Sequence, residues 1–196
     1  AVAPAEAVAY VWLDADRRST QWRTALAVVD RIPGARPALE TVIGRTLVAA
    51  GVTAGTELEA ALGPEVAVAV LPRWRAVVLT RPRDPAALER LLGRLPAPAA
   101  RAEIEGWTAV AERQADLDAF RQALARGRLD QDERFRALTG QLPAGALVRV
   151  FARGDVLADL PARAAGALPQ LPGASGLASL PAGDVALALS SEADGL

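Results

Sequence analysis

Short uninterrupted apolar runs alternate along this chain with stretches in which apolar side chains recur every three or four positions. The first pattern reads as strand and the second as amphipathic helix. AVAYVWL, Ala7 to Leu13, is continuously apolar and rich in β-formers, as expected of a strand buried on both faces. EVAVAVL (Glu65 to Leu71) and RAVVLTR (Arg75 to Arg81) are two further runs, and the link Pro72-Arg73-Trp74 between them predicts a hairpin. RAEIE and TAVAE flank Gly106-Trp107, and a glycine first in a two-residue link predicts a type II′ turn. Strand-like runs at Ala146 to Ala152 and Val185 to Leu189 complete the set.

Between these runs the period changes. Trp22, Leu26 and Val29 share one helix face, ended by Pro33-Gly34. A second helix is expected over Pro37 to Ala50, with Leu39, Val42, Ile43 and Leu47 inward and Gly51 at its cap. Thr56 and Glu59 have capping-box spacing before a short helix closed by Gly63-Pro64. Asp84-Pro85 supplies an N-cap and a first-turn proline for a helix facing inward through Leu88, Leu91, Leu92 and Leu95. Asp116 is expected to cap a helix carrying Leu117, Phe120 and Leu124 and closed by Gly127. Asp130 with Glu133 is expected to open another, carrying Phe135 and Leu138.

The pattern also repeats. LPAGALVRVFARGD, Leu142 to Asp155, lies without a gap over APAEAVAYVWLDAD, Ala3 to Asp16, bringing Val150 onto Val11, Phe151 onto Trp12 and Asp155 onto Asp16. Val185 to Leu189 then falls on Val66 to Val70, with Asp184 on Glu65. Two landmarks in the same order predict a duplication. The expected fold is therefore α+β, a mainly antiparallel sheet with covering helices, built from two related β-α-β-β units. The first unit spans 1–141 and the second, shorter and incomplete, 142–196, with one core shared between them. By analogy with the first unit, a return strand should follow Leu189. SSEADGL supplies only its turn, so the natural protein is expected to continue past Leu196, the alternative being that the second unit has lost its last strand.

Composition changes the picture mainly by exclusion. There is no Cys and no His, and all 22 basic residues are Arg, so disulfides, Ser-His-Asp and Cys-His sites, Schiff bases and the phosphate-binding lysine of a P-loop are ruled out for this chain alone. Loss of Lys, Asn and Met together points to a GC-rich genome. The net charge of −1, with both signs scattered, gives no basic stripe for nucleic acid. The longest uncharged run, Ala164 to Gly183, is broken by Pro169, Pro172 and Pro181, so no transmembrane segment is read within the chain, though an anchor outside it is compatible with that. With 52% hydrophobic but only 4% aromatic residues, the core is expected to be aliphatic.

The order of PAEAVAYVWLD, ALGPEVAVAVLP, RPRDPAALERLL, LDQDERFRALTGQLPAGALVRVFARGD and AGDVALALSSEADGL resembles a bacterial family catalogued as domain of unknown function 3352. The likeness covers nearly the whole chain through order and spacing, with a departure near Glu103 to Arg113, where the hairpin is short. It implies an extracytoplasmic place, secreted or membrane-anchored, and no established activity. It supplies no site residues.

Candidate chemistry is sparse. Asp14-x-Asp16 has the oxygen ligands for a divalent cation, but also the makings of a polar turn. Glu103 and Glu105 are expected on one strand face, where paired carboxylates share acid and base roles or form a solvated surface. Ser175 in PGASGLAS lacks both the second glycine of a nucleophile elbow and any His. Pro161 to Pro181 is an apolar loop suited to a lipid, a partner or the core. Arg73, Trp74 and Arg75 crowd one hairpin tip and Trp107 the other, and such residues are enriched at binding hot spots. The expectation is a non-catalytic extracytoplasmic binding or structural protein of the cell envelope, with no cofactor and no metal. Its partner is a protein or an apolar ligand, through Arg73, Trp74, Arg75 and Trp107. The alternatives are a carrier with a cavity between sheet and helices, and a carboxylate-based enzyme.

Overall fold

In a computed structural model, which describes residues 2–30, 56–95, 97–154 and 183–191, the apolar runs become strands that all pair antiparallel. They are β1 (Ala9–Asp14), β2 (Glu65–Leu71), β3 (Arg75–Thr80), β4 (Ala100–Ile104), β5 (Trp107–Ala111), β6 (Val148–Ala152) and β7 (Val185–Leu189). They form one seven-stranded sheet in the order β4-β5-β3-β2-β1-β6-β7. The described helices are α1 (Thr20–Asp30), α2 (Thr56–Leu62), α3 (Pro85–Leu92), α4 (Gln114–Arg126) and α5 (Glu133–Thr139). The α+β class and the mainly antiparallel sheet expected from the pattern are therefore present. The helix expected over Pro37 to Ala50 and the loop from Pro161 to Pro181, with Ser175, lie outside the described residues.

The pleat sorts the strands onto two faces. One face presents Tyr10, Ala67, Ala69, Leu71, Val77, Leu79, Ala109, Ala111 and Phe151, and buries them against Leu117, Phe120 and Ala123 of α4 and Phe135 of α5. Small alanines at the sheet centre leave room for large side chains from the helices. The expected aliphatic core is thus only half the account: all three phenylalanines are buried, and Phe135 stands edge-on to Phe151 at 5.1 Å and to Tyr10 at 6.3 Å. Such edge contacts add to area burial because the ring quadrupoles are complementary. A separate cluster, Ala61 with Ala87, Leu88 and Leu91, joins α2 to α3. The Thr80 hydroxyl donates to the Leu62 carbonyl, which fixes the end of α2 to β3.

Local chemistry sets several boundaries. Asp84 accepts from the Ala86 N–H at 2.9 Å and caps α3, as its sequence predicts. The caps of the next two helices differ from expectation. Arg113 occupies the N-cap position of α4 while Asp116 lies within its first turn, buried, and receives two hydrogen bonds from the Arg113 guanidinium. Asp132 instead of Asp130 caps α5, accepting from Phe135 N–H at 2.9 Å, because a 3-10 turn over Leu129–Gln131 intervenes. The β4–β5 turn is Glu105-Gly106, both with positive φ, and Trp107 pairs with Ile104 as the first residue of β5. That is a type I′ arrangement, shifted one residue from the expected link. It keeps the strand twist while placing glycine where a left-handed conformation carries no steric penalty.

The sheet contains a correspondence that the sequence echo anticipates residue by residue. In β1–β2, Ala9 faces Val70, Val11 faces Val68 and Leu13 faces Val66. Substituting the echoed positions gives Val148 facing Leu189, Val150 facing Leu187 and Ala152 facing Val185, which is the observed β6–β7 register. The flanking hydrogen bonds correspond too. Val8 N–H donates to the Val70 carbonyl at 2.8 Å while its own carbonyl accepts from Arg153 at 2.9 Å; Leu147 donates to Leu189 at 2.7 Å and accepts from Asp14 at 2.8 Å. Each thereby sets two residues against one, as in a β-bulge. Strands β1 and β6 meet antiparallel with Val11 opposite Val150, themselves echoed positions, so a local two-fold runs between them.

Candidate functional site

Among the described residues, the β2–β3 link is where local conformation departs furthest from what its residues prefer. Arg73 (φ 66°) and Trp74 (φ 59°) are successive non-glycine residues in the left-handed region. Left-handed backbone crowds Cβ against the carbonyl and costs roughly 1–2 kcal/mol per residue. It occurs in the three-residue link between the paired Leu71 and Arg75, where a hairpin of this length ordinarily needs one left-handed residue and not two. Trp74 is 36% exposed at this tip, and the Arg75 side chain folds back to donate to the Pro72 carbonyl at 3.3 Å. Arg73, Trp74 and Arg75 line a groove of about 680 Å³ together with Leu95, Pro98 and Val110 and the carboxylates Glu112 and Asp116. With Asp116 paired to Arg113, the Arg73, Trp74 and Arg75 side chains beside apolar residues suit a partner that presents both acidic and apolar groups.

Trp107 does not join them. It is only 7% exposed, inside β5, and the Arg81 guanidinium lies 4.3 Å from its ring centroid. It belongs to a second cleft, of about 520 Å³, between the sheet and α5. Tyr10, Trp12 and Phe135 provide its aromatic surface, and Arg81, Arg136 and Arg149 its cations. Arg149 sits over Trp12 at 5.3 Å, so two guanidinium–indole stacks flank the cleft. The Trp107 Nε1 and Arg149 Nε atoms are buried and make no hydrogen bond to a described residue. Burial pushes the Tyr10 phenol up to about 12, with the Glu65 carboxylate adding to the shift.

These cleft residues escape a linear reading because they come from β1, β2, β5, β6 and α5 and from Arg81, just past the end of β3. The one available signal is the echo: β1 and β6 meet about equivalent residues, which sets Trp12 opposite Arg149 and Tyr10 opposite Phe151.

The carboxylate candidates separate. Asp14 accepts from its own turn at Asp16 N–H, at 2.9 Å. Asp16 accepts from Arg18 N–H and pairs with Arg83 at 3.2 Å. The Arg18 amide foremost, then Arg83, hold the Asp16 carboxyl below its ordinary range. Glu103 accepts from the Thr108 hydroxyl at 2.7 Å, whereas Glu105 stands in the turn and pairs with Arg128 at 2.6 Å, so the two do not share a strand face. Asp14 and Glu65 are cross-strand neighbours, but Glu65 is drawn toward Arg81, 3.7 Å away. Among the residues lining the cleft, Glu65 is the one carboxylate, which leaves no facing acid–base pair there.

Comparison of the chain with protein-family models, with curated proteins and with solved structures finds no match.

Proposed function

We propose that the protein is a non-catalytic binding or structural protein of the bacterial cell envelope, acting outside the cytoplasm and engaging a protein partner through the Arg73-Trp74-Arg75 tip. The carrying observation is the pair of left-handed residues that hold Trp74 exposed in the lining of the groove. Strain of this kind persists only where the surrounding structure over-determines it, and it concentrates at sites that bind. The absence of His, Cys and Lys from the sequence supports the non-catalytic part. The envelope location rests on the family resemblance alone.

A second reading is favoured by the other cleft. Its volume falls within the range of small-molecule sites, and its aromatic walls and guanidinium groups suit an apolar molecule with an anionic end. On this reading the protein is a carrier. Native mass spectrometry of protein purified from its own source separates the two. A co-purifying chain that is lost in Trp74→Ala supports the tip; a bound small molecule that survives Trp74→Ala but is lost in Arg149→Ala supports the carrier. Neither species in the native protein would sink both.

A further inference from the structure

We propose that the outer edge of β7 is a strand-acceptor site whose occupant is an extended apolar segment with the alternation of Arg75–Thr80. It adds antiparallel, in the register that β3 holds on β2. Three observations lead there. The β6–β7 ladder reproduces the β1–β2 ladder through the flanking hydrogen bonds, so β7 stands where β2 stands. The far side of β2 is occupied by β3, with Thr80 facing Val66, Val78 facing Val68 and Ala76 facing Val70. Among the described residues β7 ends the sheet, and Leu187 and Leu189 are 48% and 61% exposed where their counterparts Val68 and Val70 are half-buried.

The chemistry of the edge points the same way. Edge strands are ordinarily blunted by charge or proline, since their unpaired backbone recruits other strands. The opposite edge, β4, follows that rule: ARAEI carries Arg101 and Glu103, and Arg101 is paired to Glu89 of α3. VALAL of β7 has neither charge nor proline. The pleat directs the backbone groups of Val185, Leu187 and Leu189 toward β6, which leaves those of Ala186 and Ala188 pointing outward for β-augmentation. The transferred register places the Val78 position of the incoming strand across from Leu187 as a non-hydrogen-bonded pair. In such pairs the Cα atoms approach to about 4.5 Å, within reach of a disulfide.

The chain has no cysteine, so Leu187→Cys creates a single thiol at an exposed position. The probe is a synthetic peptide with the sequence Pro72 to Arg81, carrying cysteine in place of Val77, Val78 or Leu79 in turn. Under redox exchange, the peptide substituted at Val78 should be trapped roughly tenfold faster than the other two, because only that position meets disulfide geometry. Equal trapping of all three, or trapping no better than of a scrambled peptide, overturns the proposal. So does a Leu187→Cys homodimer that forms in preference to the peptide adduct, which would assign the edge to a second copy of this chain. Amide exchange on the unsubstituted protein gives an independent reading. Added unmodified peptide should slow exchange at Ala186 and Ala188, and unchanged exchange there overturns the proposal as well.

Discussion

The β1–β2 and β6–β7 pairs share one register but live in different surroundings. The first has a strand on each side, β3 and β6, so its central residues are packed laterally as well as from α4 and α5. The second has β1 on one side only among the described residues. Echoed positions differ accordingly. Asp14 corresponds to Arg153 and Glu65 to Asp184, so two neighbouring carboxylates in the first pair become an oppositely charged pair, 3.9 Å apart, in the second. Backbone register is carried by the alternation of apolar positions, which both pairs keep. Side-chain identity answers to what each face meets, and there the two differ.

The sharpest test of a common core is Phe151→Ala against Trp12→Ala, at echoed positions. Phe151 is fully buried against Phe135, whereas Trp12 is half-buried at the cleft. Removing a buried phenylalanine ring costs about 3–5 kcal/mol. The Trp12 truncation should cost about half as much, since much of that ring is already wet. Urea denaturation monitored by far-ultraviolet dichroism measures both. Near-equal costs would mean that the second pair is less integrated into the core than its burial indicates.

Tyr10 and Arg149 also correspond, and here pH separates the two strand pairs. Burial raises the Tyr10 phenol to about 12, so the folded protein resists forming phenolate. The unfolded chain releases that proton near pH 10. The stability gained from the neutral phenol is therefore complete below pH 10 and is lost as pH climbs toward 12, by roughly 2–3 kcal/mol. Because Tyr10 is the single tyrosine, phenolate absorbance reports it without assignment. Tyr10→Phe should flatten the alkaline fall in stability; an ordinary phenolate titration in the folded protein would remove the basis for this expectation.

Arg153 tests the charge divergence. It donates to the carbonyls of Ala5 at 2.7 Å and Ala7 at 3.1 Å and pairs with Asp132 at 3.1 Å, fastening β6 to the N-terminal segment and to the cap of α5. Arg153→Ala should cost about 2 kcal/mol, since its bonds are charge-assisted and partly buried. Asp14→Ala, at the echoed site, should cost about 1 kcal/mol because it holds only its own turn. Burial would raise the Asp132 carboxyl, but the Phe135 N–H and Arg153 outweigh it, and the folded group lies below its ordinary range. Its contribution is thus present above the ordinary carboxylate range and lost as pH falls through the folded value. The acid limb of the stability curve should be shallower in Arg153→Ala; an unchanged limb would show that Arg153 does not hold Asp132.

What was legible in the chain follows the same division. Strand positions and the Asp84 cap depend on period and on a few local side chains, and each stands close to where the pattern puts it, while the echo reappears as a shared register in β1–β2 and β6–β7. The misplaced features hang on single residues. One positive-φ residue, Glu105, moves the β4–β5 turn and draws Trp107 from an expected tip into the sheet. One 3-10 turn moves the α5 cap from Asp130 to Asp132. The aromatic and arginine cleft assembles from strands far apart in sequence, and no local pattern announces that β1 and β6 are neighbours.

The smallest effect is expected at the edge itself, where the surroundings of the two strand pairs differ most directly. Val68 and Leu187 are echoed positions on the same sheet face, one flanked by β1 and β3, the other flanked by β6 alone among the described residues. Threonine suits a strand as well as valine does, so a change to threonine tests the surroundings and not the backbone. At Val68 the hydroxyl is set among half-buried apolar neighbours, and Val68→Thr should cost about 1 kcal/mol. At Leu187, already 48% exposed, Leu187→Thr should change stability by less than about 0.5 kcal/mol. Thermal denaturation of the isolated chain compares the two variants. A cost at Leu187 matching that at Val68 would mean that the face of β7 is covered in solution, and that the two strand pairs have the same surroundings after all.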